Sequence, residues 1–206
     1  IYAAKMQNPL KSKQKFLILG IGGVSMSSIA LILQKSGHTV TGYDSNEGAF
    51  TRLVSEKGIY VAFNEEDIDT ENIACAVYTS AISEDSPLIK CLREKGIKCV
   101  VRALFLGELM KSYKSRIGVA GTHGKSTVSG MISSIFMEAK ANPTIMIGAG
   151  LKGLDGGFRD GGNENYIFEA CEYQDSFLSF SPTISVVLNA ELDHTDYFKS
   201  LDQIKK

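Results

Sequence analysis

The chain has 206 residues, of which 44% are hydrophobic and 22% charged, and this is the composition of an ordinary globular protein. Its formal net charge of −1 argues against binding to nucleic acids or to an anionic membrane surface. No apolar stretch approaches the roughly 20 residues that a membrane-spanning helix needs, so membrane insertion is not expected either. The four cysteines form no C-x-x-C pair, which favours reduced thiols in a cytoplasmic protein over a zinc ribbon or a redox dithiol.

Strands and helices alternate along the first half of the chain. Short apolar runs that end at glycine or a polar residue predict buried strands, and apolar residues spaced three or four apart predict helices. The predicted elements are, in order, a strand over 15–19, a helix within 22–37, a strand over 38–43, a helix over 47–57, strands over 59–62 and 74–79, a helix over 87–95, a strand over 98–101 and a helix over 104–113.

The same alternation starts again after the polar segment 111–116, which we take as the boundary between domains covering residues 1–113 and 114–206. Because β-α-β alternation is typical of parallel sheets with helices on both faces, both domains are expected to be α/β. A new helix pattern begins near Leu201, so we expect the second domain to be incomplete. Its predicted elements are a strand over 117–120, a helix over 126–140, a strand over 144–147, a loop over 152–165 that is rich in glycine and charge and forms a hairpin or a surface excursion, and strands over 166–169 and 184–188.

The first glycine-rich loop follows the first predicted strand and opens a helix. Gly20 and Gly22 fit the first two glycines of the dinucleotide-binding fingerprint, and Ser25 is a small residue at the third position. Asp44 ends the next strand, where such folds place the acid that binds a ribose. The loop therefore predicts binding of a nucleotide diphosphate, and it leaves NAD, FAD and a UDP-sugar open as ligands.

The second glycine-rich loop, GTHGKST over 121–127, also lies between a strand and a helix. Backbone N–H groups and the helix N-terminus suit phosphate oxygens, Lys125 would reach the β- and γ-phosphates, and Ser126 would bind Mg²⁺. The match to G-x-x-x-x-G-K-[ST] is imperfect, because Val119 stands where the first glycine belongs. The loop predicts ATP binding, with His123 contributing through its backbone. The alternative is a surface loop whose lysine and serine only cap the helix.

Acidic residues follow two later strands, at the edge where open α/β sheets bind ligands. Glu169 ends the apolar run 166–168, and His194 follows Asp193 after the strand over 184–188. Since Mg²⁺ prefers oxygen ligands, usually one or two carboxylates with water, Glu169 is the best-placed candidate. His194 is a further candidate for a metal or phosphate role. The alternative is that these acids only solvate strand ends.

Four segments occur in a characteristic order, and together they resemble the Mur ligases of peptidoglycan synthesis. They are GIGGVSMSSIA over 20–30, GTHGKST over 121–127, EACEYQDSF over 169–177 and NAELDHTDY over 189–197. A histidine in the phosphate loop is typical of the members that add L-alanine to UDP-N-acetylmuramic acid. The resemblance spans nearly the whole chain.

This resemblance implies a Rossmann-like UDP-sugar-binding domain followed by part of a P-loop ATPase domain, with the C-terminal amino-acid-binding domain absent. It implies a ligase that uses ATP and Mg²⁺, forms an acyl phosphate and takes UDP-N-acetylmuramic acid and L-alanine as substrates. The implied site residues are Gly22, Gly23, Val24, Ser25, Met26, Asp44, Thr79, Ser80, Ala81 and Ile82 for the UDP-sugar, Gly121, Thr122, His123, Gly124, Lys125, Ser126 and Thr127 for ATP, Ser126, Glu169 and His194 for the metal, and Lys125, Glu169 and His194 for catalysis.

Two alternatives remain open at this point. One is a related Mur ligase, such as the enzyme that recycles murein tripeptide, which differs in the amino acid or peptide that it adds. The other is an NAD- or UDP-binding module without ligase activity, in which the G-K-S triplet is incidental. Even if the parent protein is a ligase, we expect this chain by itself to bind nucleotide and to catalyse nothing.

Overall fold

The computed structural model describes residues 12–148, 154, 157–171, 173–192, 200, 201 and 203. The chain divides into two compact units, Ile1–Phe105 and Leu106–Lys206. Within the residues that the structure describes, each unit contains one five-stranded sheet. None of the helices in the described part of the chain combines the length and the hydropathy that crossing a bilayer requires.

The first unit is an open α/β sheet. Its five strands are all parallel and lie in the order β3-β2-β1-β4-β5. Its elements are β1 Lys15–Leu19, α1 Val24–Lys35, β2 Thr39–Tyr43, α2 Ala49–Glu56, β3 Tyr60–Ala62, β4 Ile73–Tyr78, α3 Pro87–Glu94 and β5 Lys98–Val101, with a short 3-10 turn at Glu65–Asp67. The next helix, α4 Arg102–Met110, begins in the first unit and ends in the second. The predicted parallel sheet is therefore confirmed, and the predicted helix and strand ends differ from these by at most three residues.

The centre of the first sheet is where the strand order reverses. β1 pairs with β2 on one side and with β4 on the other. The chain therefore builds one half of the sheet outward from β1 through β2 and β3, and then builds the other half through β4 and β5. The residues Phe16–Leu19 of β1 are at most 1% exposed, as a strand covered on both faces requires. In folds of this kind the loops that leave the carboxyl ends of the two central strands diverge, and the crevice between them binds ligands.

The second unit has a mixed sheet. Its strands lie in the order β10-β6-β9-β7-β8, and every neighbouring pair is parallel except β7 and β8, the elements being β6 Ser115–Ala120, α5 Lys125–Glu138, β7 Thr144–Met146, β8 Phe158–Arg159, β9 Asn165–Ala170 and β10 Ile184–Val187, with a 3-10 segment at Tyr173–Ser179. The strands β6 and β9 lie next to each other in this sheet. β6 leads into the phosphate loop, and β9 contains Glu169, the predicted metal-binding glutamate.

The segment 152–165, predicted to be a hairpin or a surface excursion, contains the short strand β8, whose antiparallel pairing with β7 agrees with the hairpin. Phe158 and Arg159 pair with Met146 and Ile145 in an antiparallel edge ladder. β8 is the edge strand on this side of the sheet, and its residue Phe158 is buried. A strand of two residues is too short to show alternation in the sequence, and the glycines around it are typical of loops.

Aromatic rings and one glycine set the packing beside the central strands of the second sheet. Tyr166 of β9 lies between Tyr113 and Phe168, with ring centroids 4.8 and 5.3 Å away. Gly118 in β6 makes room for this row, because a Cβ there would lie 2.9 Å from Cζ of Phe168. The glycine is thus required by packing in the strand that carries the phosphate loop.

The four cysteines are not paired with one another in the structure, and Cys75 is buried. Burial raises the pKa of Cys75 to about 12 and also raises the pKa of Cys99. The thiolate is the reactive form of cysteine, so these two thiols are poorly reactive at neutral pH. They contribute packing rather than chemistry.

Two candidate nucleotide sites

The first glycine loop is anchored to both strands that flank β1. The N–H groups of Gly20 and Ile21 donate to the carbonyl of Tyr43 at 2.8 and 3.1 Å, which ties the loop to the end of β2. Gly20 has a φ of 81°, and a Cβ at this position would lie 2.6 Å from Cγ2 of Thr79, just after β4. Glycine is therefore required here by the backbone conformation and by the close approach of the neighbouring strand.

Asp44 braces the same loop with its carboxylate. Its Oδ2 accepts from the N–H of Gly22 at 2.8 Å, and its Oδ1 accepts from the N–H of Asn46 at 3.1 Å. A Cβ on Gly22 would lie 2.8 Å from Oδ2, so a larger residue would displace this brace. A carboxylate has lone pairs beyond those used here, so the brace is compatible with the predicted contact of Asp44 to the uridine side of a ligand.

The N-terminus of α1 presents backbone donors at the loop. Gly23 is the N-cap, and the first bond of the helical ladder runs from the N–H of Ser27 to the carbonyl of Gly23 at 2.9 Å. The N–H groups of Val24, Ser25 and Met26 precede that bond, as the first N–H groups of any helix do, and such groups suit an anion. Met26 has a side chain that is 2% exposed, so a contact from this residue to a ligand is made through its backbone.

The predicted uridine-side segment lies directly beside this loop. The N–H of Thr79 donates to the carbonyl of Leu19 at 3.3 Å, and the N–H of Ile82 donates back to Thr79 at 3.0 Å, which forms a turn. Ser80 and Ala81, at the tip of the turn, are exposed. The structure thus places the two predicted groups of UDP-site residues next to each other, at the carboxyl ends of β1 and β4.

Sequence reasoning missed one side chain that contacts this site. Arg102 follows β5 immediately, and its Nη1 donates to Oγ of Ser25 at 3.2 Å. The available signal was its position, since a residue that directly follows a parallel strand lies at the ligand-binding edge of the sheet.

In the second unit, two glycines with positive φ shape the phosphate loop. Gly121 has a φ of 142°, and Gly124 has a φ of 85° as the left-handed N-cap of α5. Val119 is fully buried within β6, which explains the departure from the standard motif. The strand continues through this position, and the loop begins only at Gly121.

Lys125 folds back over the loop. Its Nζ donates to the carbonyl of Gly121 at 2.5 Å and to the carbonyl of Thr122 at 3.3 Å. The ladder of α5 begins with the N–H of Val128 donating to Gly124, so the N–H groups of Lys125, Ser126 and Thr127 lie at the helix start. A lysine ammonium and a helix N-terminus thus converge on one short loop, which is the arrangement that binds phosphate groups.

Residues after β10 hold the phosphate loop in place, and we call Thr122, His123, Asn189 and Glu191 the loop latch. Asn189 accepts from the N–H of His123 at 2.9 Å through Oδ1 and donates to its carbonyl at 3.1 Å through Nδ2. The hydroxyl of Thr122 donates to the carbonyl of Glu191 at 3.1 Å and accepts from its N–H at 2.9 Å. Four hydrogen bonds therefore join two consecutive loop residues to one neighbouring segment.

The latch engages the backbone of His123 and leaves its imidazole exposed. The exposed fraction of the His123 side chain is 68%, and its Nε2 lies 3.9 Å from a carboxylate oxygen of Glu191. Asn189 stands in a segment that the sequence singled out for its acids and histidine, but its own role was not predicted. Only the fold brings it to the loop, from 66 residues further along the chain.

Glu169 lies in the strand next to the phosphate loop. It pairs in register with Val119 of β6, close to the carboxyl end of both strands. Its Oε1 accepts from the N–H of Gly148 at 2.7 Å, which fixes the carboxylate beside the end of β7. Gly148 also has no side chain to displace this carboxylate, since a Cβ there would lie 3.3 Å from Oε2.

Two of the three predicted metal ligands can be placed. Ser126 lies in the first turn of α5, and Glu169 lies in β9 beside the strand that leads into that helix. A hydroxyl and a carboxylate are the oxygen donors that Mg²⁺ prefers. His194 lies outside the described residues, and within the described part of the chain no group of three or more His, Cys, Asp and Glu side chains forms a metal cluster by itself.

These features define the class of protein. Each unit has a parallel strand, a glycine loop and a helix N-terminus in sequence, with the loop at the carboxyl edge of the sheet. That arrangement binds nucleotide phosphates, and it occurs here twice in one chain. The chain therefore contains two successive α/β units, each with a glycine loop of the kind that binds nucleotide phosphates.

Comparison with protein families gives a more specific assignment. The family described as "Mur ligase family, catalytic domain" matches residues 15–114, and the "Mur ligase middle domain" matches residues 119–206. The chain therefore belongs to the Mur ligase family. The two matches change over between residues 114 and 119, whereas the compact units separate after Phe105, so the boundary after residue 113 stays a prediction.

Curated relatives carry the name UDP-N-acetylmuramate–L-alanine ligase. One from Caldicellulosiruptor saccharolyticus is 48% identical over 193 residues, which is 93% of this chain and 42% of the relative. Another from Clostridium botulinum is 43% identical over 199 residues, covering 95% of this chain and 43% of the relative. The chain thus spans less than half the length of the curated relatives that it matches.

Solved structures agree with this assignment. The UDP-N-acetylmuramate–alanine ligase of Thermotoga maritima superposes with a TM-score of 0.83 at 26% identity, over 94% of this chain and 45% of that chain. A ligase from Neisseria meningitidis named for the tripeptide L-alanyl-γ-D-glutamyl-meso-diaminopimelate has a TM-score of 0.78 at 24% identity, over 94% of this chain and 66% of that chain. The second likeness shows the shared fold alone.

Proposed function

We propose that this chain is the UDP-sugar- and ATP-binding part of a bacterial cytoplasmic ligase that joins L-alanine to UDP-N-acetylmuramic acid. The observation that carries the proposal is the presence of two separate phosphate-binding loops in two successive units of a Mur ligase chain. A dehydrogenase needs one such loop for its dinucleotide and has no use for a G-K-S loop. The names of the relatives at 43–48% identity supply the substrates.

In the first unit, the glycine loop and the start of α1 would bind the diphosphate of the UDP-linked substrate. The backbone N–H groups of Val24, Ser25 and Met26 supply the donors, and Gly22 and Gly23 allow the phosphates to approach the backbone. The turn from Thr79 to Ile82 lies beside the loop and would line the uridine side. Binding through the uridine diphosphate holds the substrate at a point remote from its reacting carboxylate.

In the second unit, the phosphate loop would position ATP for transfer of its γ-phosphoryl group. A carboxylate oxygen of the muramic acid attacks the γ-phosphorus, the bond to ADP breaks, and an acyl phosphate forms. The amine of L-alanine then attacks the acyl carbon, inorganic phosphate leaves, and the amine loses a proton as the amide forms. The ammonium of Lys125 would turn from the Gly121 carbonyl to the phosphate oxygens and stabilise the charge that develops there.

Ser126 and Glu169 would hold Mg²⁺ at this loop, and His194 is the third proposed ligand. The fit rests on the donor set, since a hydroxyl and a carboxylate suit a hard divalent cation. When bound with ATP, the cation neutralises phosphate charge during transfer. The contact from the Gly148 N–H to Glu169 holds the carboxylate in place and leaves Oε2 for a cation.

Substitution of Lys125 tests the ATP site. In Lys125→Ala, the loss of one charge-assisted contact to phosphate is expected to lower the affinity for the Mg²⁺ complex of a non-hydrolysable ATP analogue by roughly 10- to 100-fold. The affinity for UDP-N-acetylmuramic acid should not change, because the two loops belong to different units. Calorimetric titration of the 206-residue chain with each ligand measures both quantities.

The matched control is Lys114→Ala, which removes the same charge at the opposite end of β6. Lys114 pairs with Glu164 at 2.8 Å and is 77% exposed, so its loss should leave both affinities unchanged. If Lys125→Ala bound the ATP analogue as tightly as the unsubstituted chain, the assignment of this loop to ATP would have to be withdrawn.

A further inference from the structure

Arg102 reaches the first glycine loop from the edge of the sheet. It follows β5 directly, and β5 is separated from β1 by β4 in the strand order. Its Nη1 nevertheless lies 3.2 Å from Oγ of Ser25, a residue 77 positions earlier in the chain. Ser25 stands in the first turn of α1, where the backbone donors for a diphosphate are found.

The charge at this loop gives the contact its significance. Asp44 places a carboxylate 2.8 Å from the N–H of Gly22, within the loop that is proposed to bind a diphosphate. The N-terminus of α1 offsets only about half a unit of negative charge through its dipole. A diphosphate bound beside Asp44 therefore needs a full positive charge, and Arg102 brings one to the edge of the loop.

We propose that Arg102 is a direct ligand of the diphosphate in the UDP-sugar site, exchanging its contact with Ser25 for phosphate oxygens. The proposal rests on the proposed function, in that the first loop binds a UDP-linked substrate. A guanidinium presents five N–H donors in a planar fork and binds phosphate oxygens in pairs. The bond to Ser25 holds this fork at the loop before the ligand arrives.

Comparison of UDP, UMP and uridine tests the role of Arg102. In Arg102→Gln, the affinity for UDP should fall by roughly 10- to 100-fold, because a charge-assisted contact to phosphate is lost. The affinity for UMP should fall less, and the affinity for uridine should stay the same. Arg102→Lys keeps the charge without the fork and should bind UDP with intermediate affinity. Calorimetric titration of the full chain gives all of these values.

The control is Lys98→Gln, which removes one positive charge from the amino end of the same strand. Lys98 is exposed and begins β5, whereas Arg102 follows its carboxyl end, so this variant should bind all three ligands normally. Comparable thermal unfolding midpoints for the three variants would show that each is folded.

Three outcomes would overturn the inference, and they differ in whether the proposed function also fails. If the unsubstituted chain binds UDP and Arg102→Gln binds it as tightly, the inference alone fails. If Arg102→Gln loses uridine and UDP to the same extent, the residue acts on the structure of the site and not on the diphosphate. If the unsubstituted chain itself binds neither UDP nor UDP-N-acetylmuramic acid, the proposed function fails together with the inference.

Discussion

The hydroxyl of Thr122 ties the phosphate loop to the segment after β10. It makes two of the four bonds of the loop latch, one as donor and one as acceptor, both to the backbone of Glu191. Asn189 makes the other two, to the backbone of His123. A loop that is already held in its binding conformation binds its ligand more tightly, because the entropy cost of ordering the loop does not reduce the free energy of binding.

At this scale we predict that Thr122→Val weakens nucleotide binding while Thr122→Ser does not. Valine has the shape of threonine without the hydroxyl, so both bonds to Glu191 are lost. At about 1 kcal/mol per bond, the affinity for an ATP analogue with Mg²⁺ should fall by roughly 10-fold or more. Titration of the two variants with that analogue checks the prediction, and equal affinities for valine and serine would contradict it.

Single residues also show where sequence reasoning reached its limit. Lys125, Ser126 and Glu169 could be proposed because each stands in a short local motif whose chemistry is visible in the sequence. Arg102 and Asn189 could not, since their contacts join positions 77 and 66 residues apart. Nothing in a single sequence indicates that those positions meet. Their identification required the fold.

At the scale of elements, the glycine at the end of β1 determines how closely β1 and β4 approach each other. Gly20 and Gly58 both have positive φ, 81° and 84°, so an alanine is strained at either position. Only Gly20 is also crowded, by the methyl group of Thr79 at 2.6 Å from the position of a Cβ, whereas no atom lies within 4 Å at Gly58. The pair therefore separates backbone strain from a steric clash.

We expect Gly20→Ala to be more destabilising than Gly58→Ala. Both variants carry the cost of left-handed backbone, about 1–2 kcal/mol, and Gly20→Ala adds about 1–3 kcal/mol from overpacking against the neighbouring strand. Urea unfolding of the two variants measures the difference in the free energy of unfolding. Equal losses of stability would mean that the loop yields to the added methyl group and that the close approach is not a constraint.

Most elements could be predicted from the sequence because their signals are local. Apolar runs followed by glycine mark β1 and β6, and helical spacing marks α1 and α5. For the edge strand β8 the sequence indicated no more than a possible hairpin, because two residues carry no periodicity from which its position could be predicted. The order of strands in the second sheet, with β9 between β6 and β7, is set by long-range pairing that periodicity does not encode.

At the scale of the whole molecule, the central feature is that the two phosphate-binding loops belong to different compact units. One glycine loop lies in each unit, and each loop has its own set of supporting contacts, from Asp44 in the first and from the latch in the second. Under the proposed function, the two loops would bind different nucleotides independently. This is the arrangement expected of an enzyme that activates a nucleotide-linked substrate with ATP.

The identity of the first ligand is the claim on which the rest depends. The loop at Gly20–Ser25 with Asp44 would suit NAD as well as a UDP-sugar on sequence grounds, and the family assignment favours the UDP-sugar. Calorimetric titration of the chain with UDP-N-acetylmuramic acid, and separately with NAD⁺, distinguishes the two directly. We predict binding of UDP-N-acetylmuramic acid and no binding of NAD⁺, whereas binding of NAD⁺ without binding of the UDP-sugar would contradict the proposed ligase function.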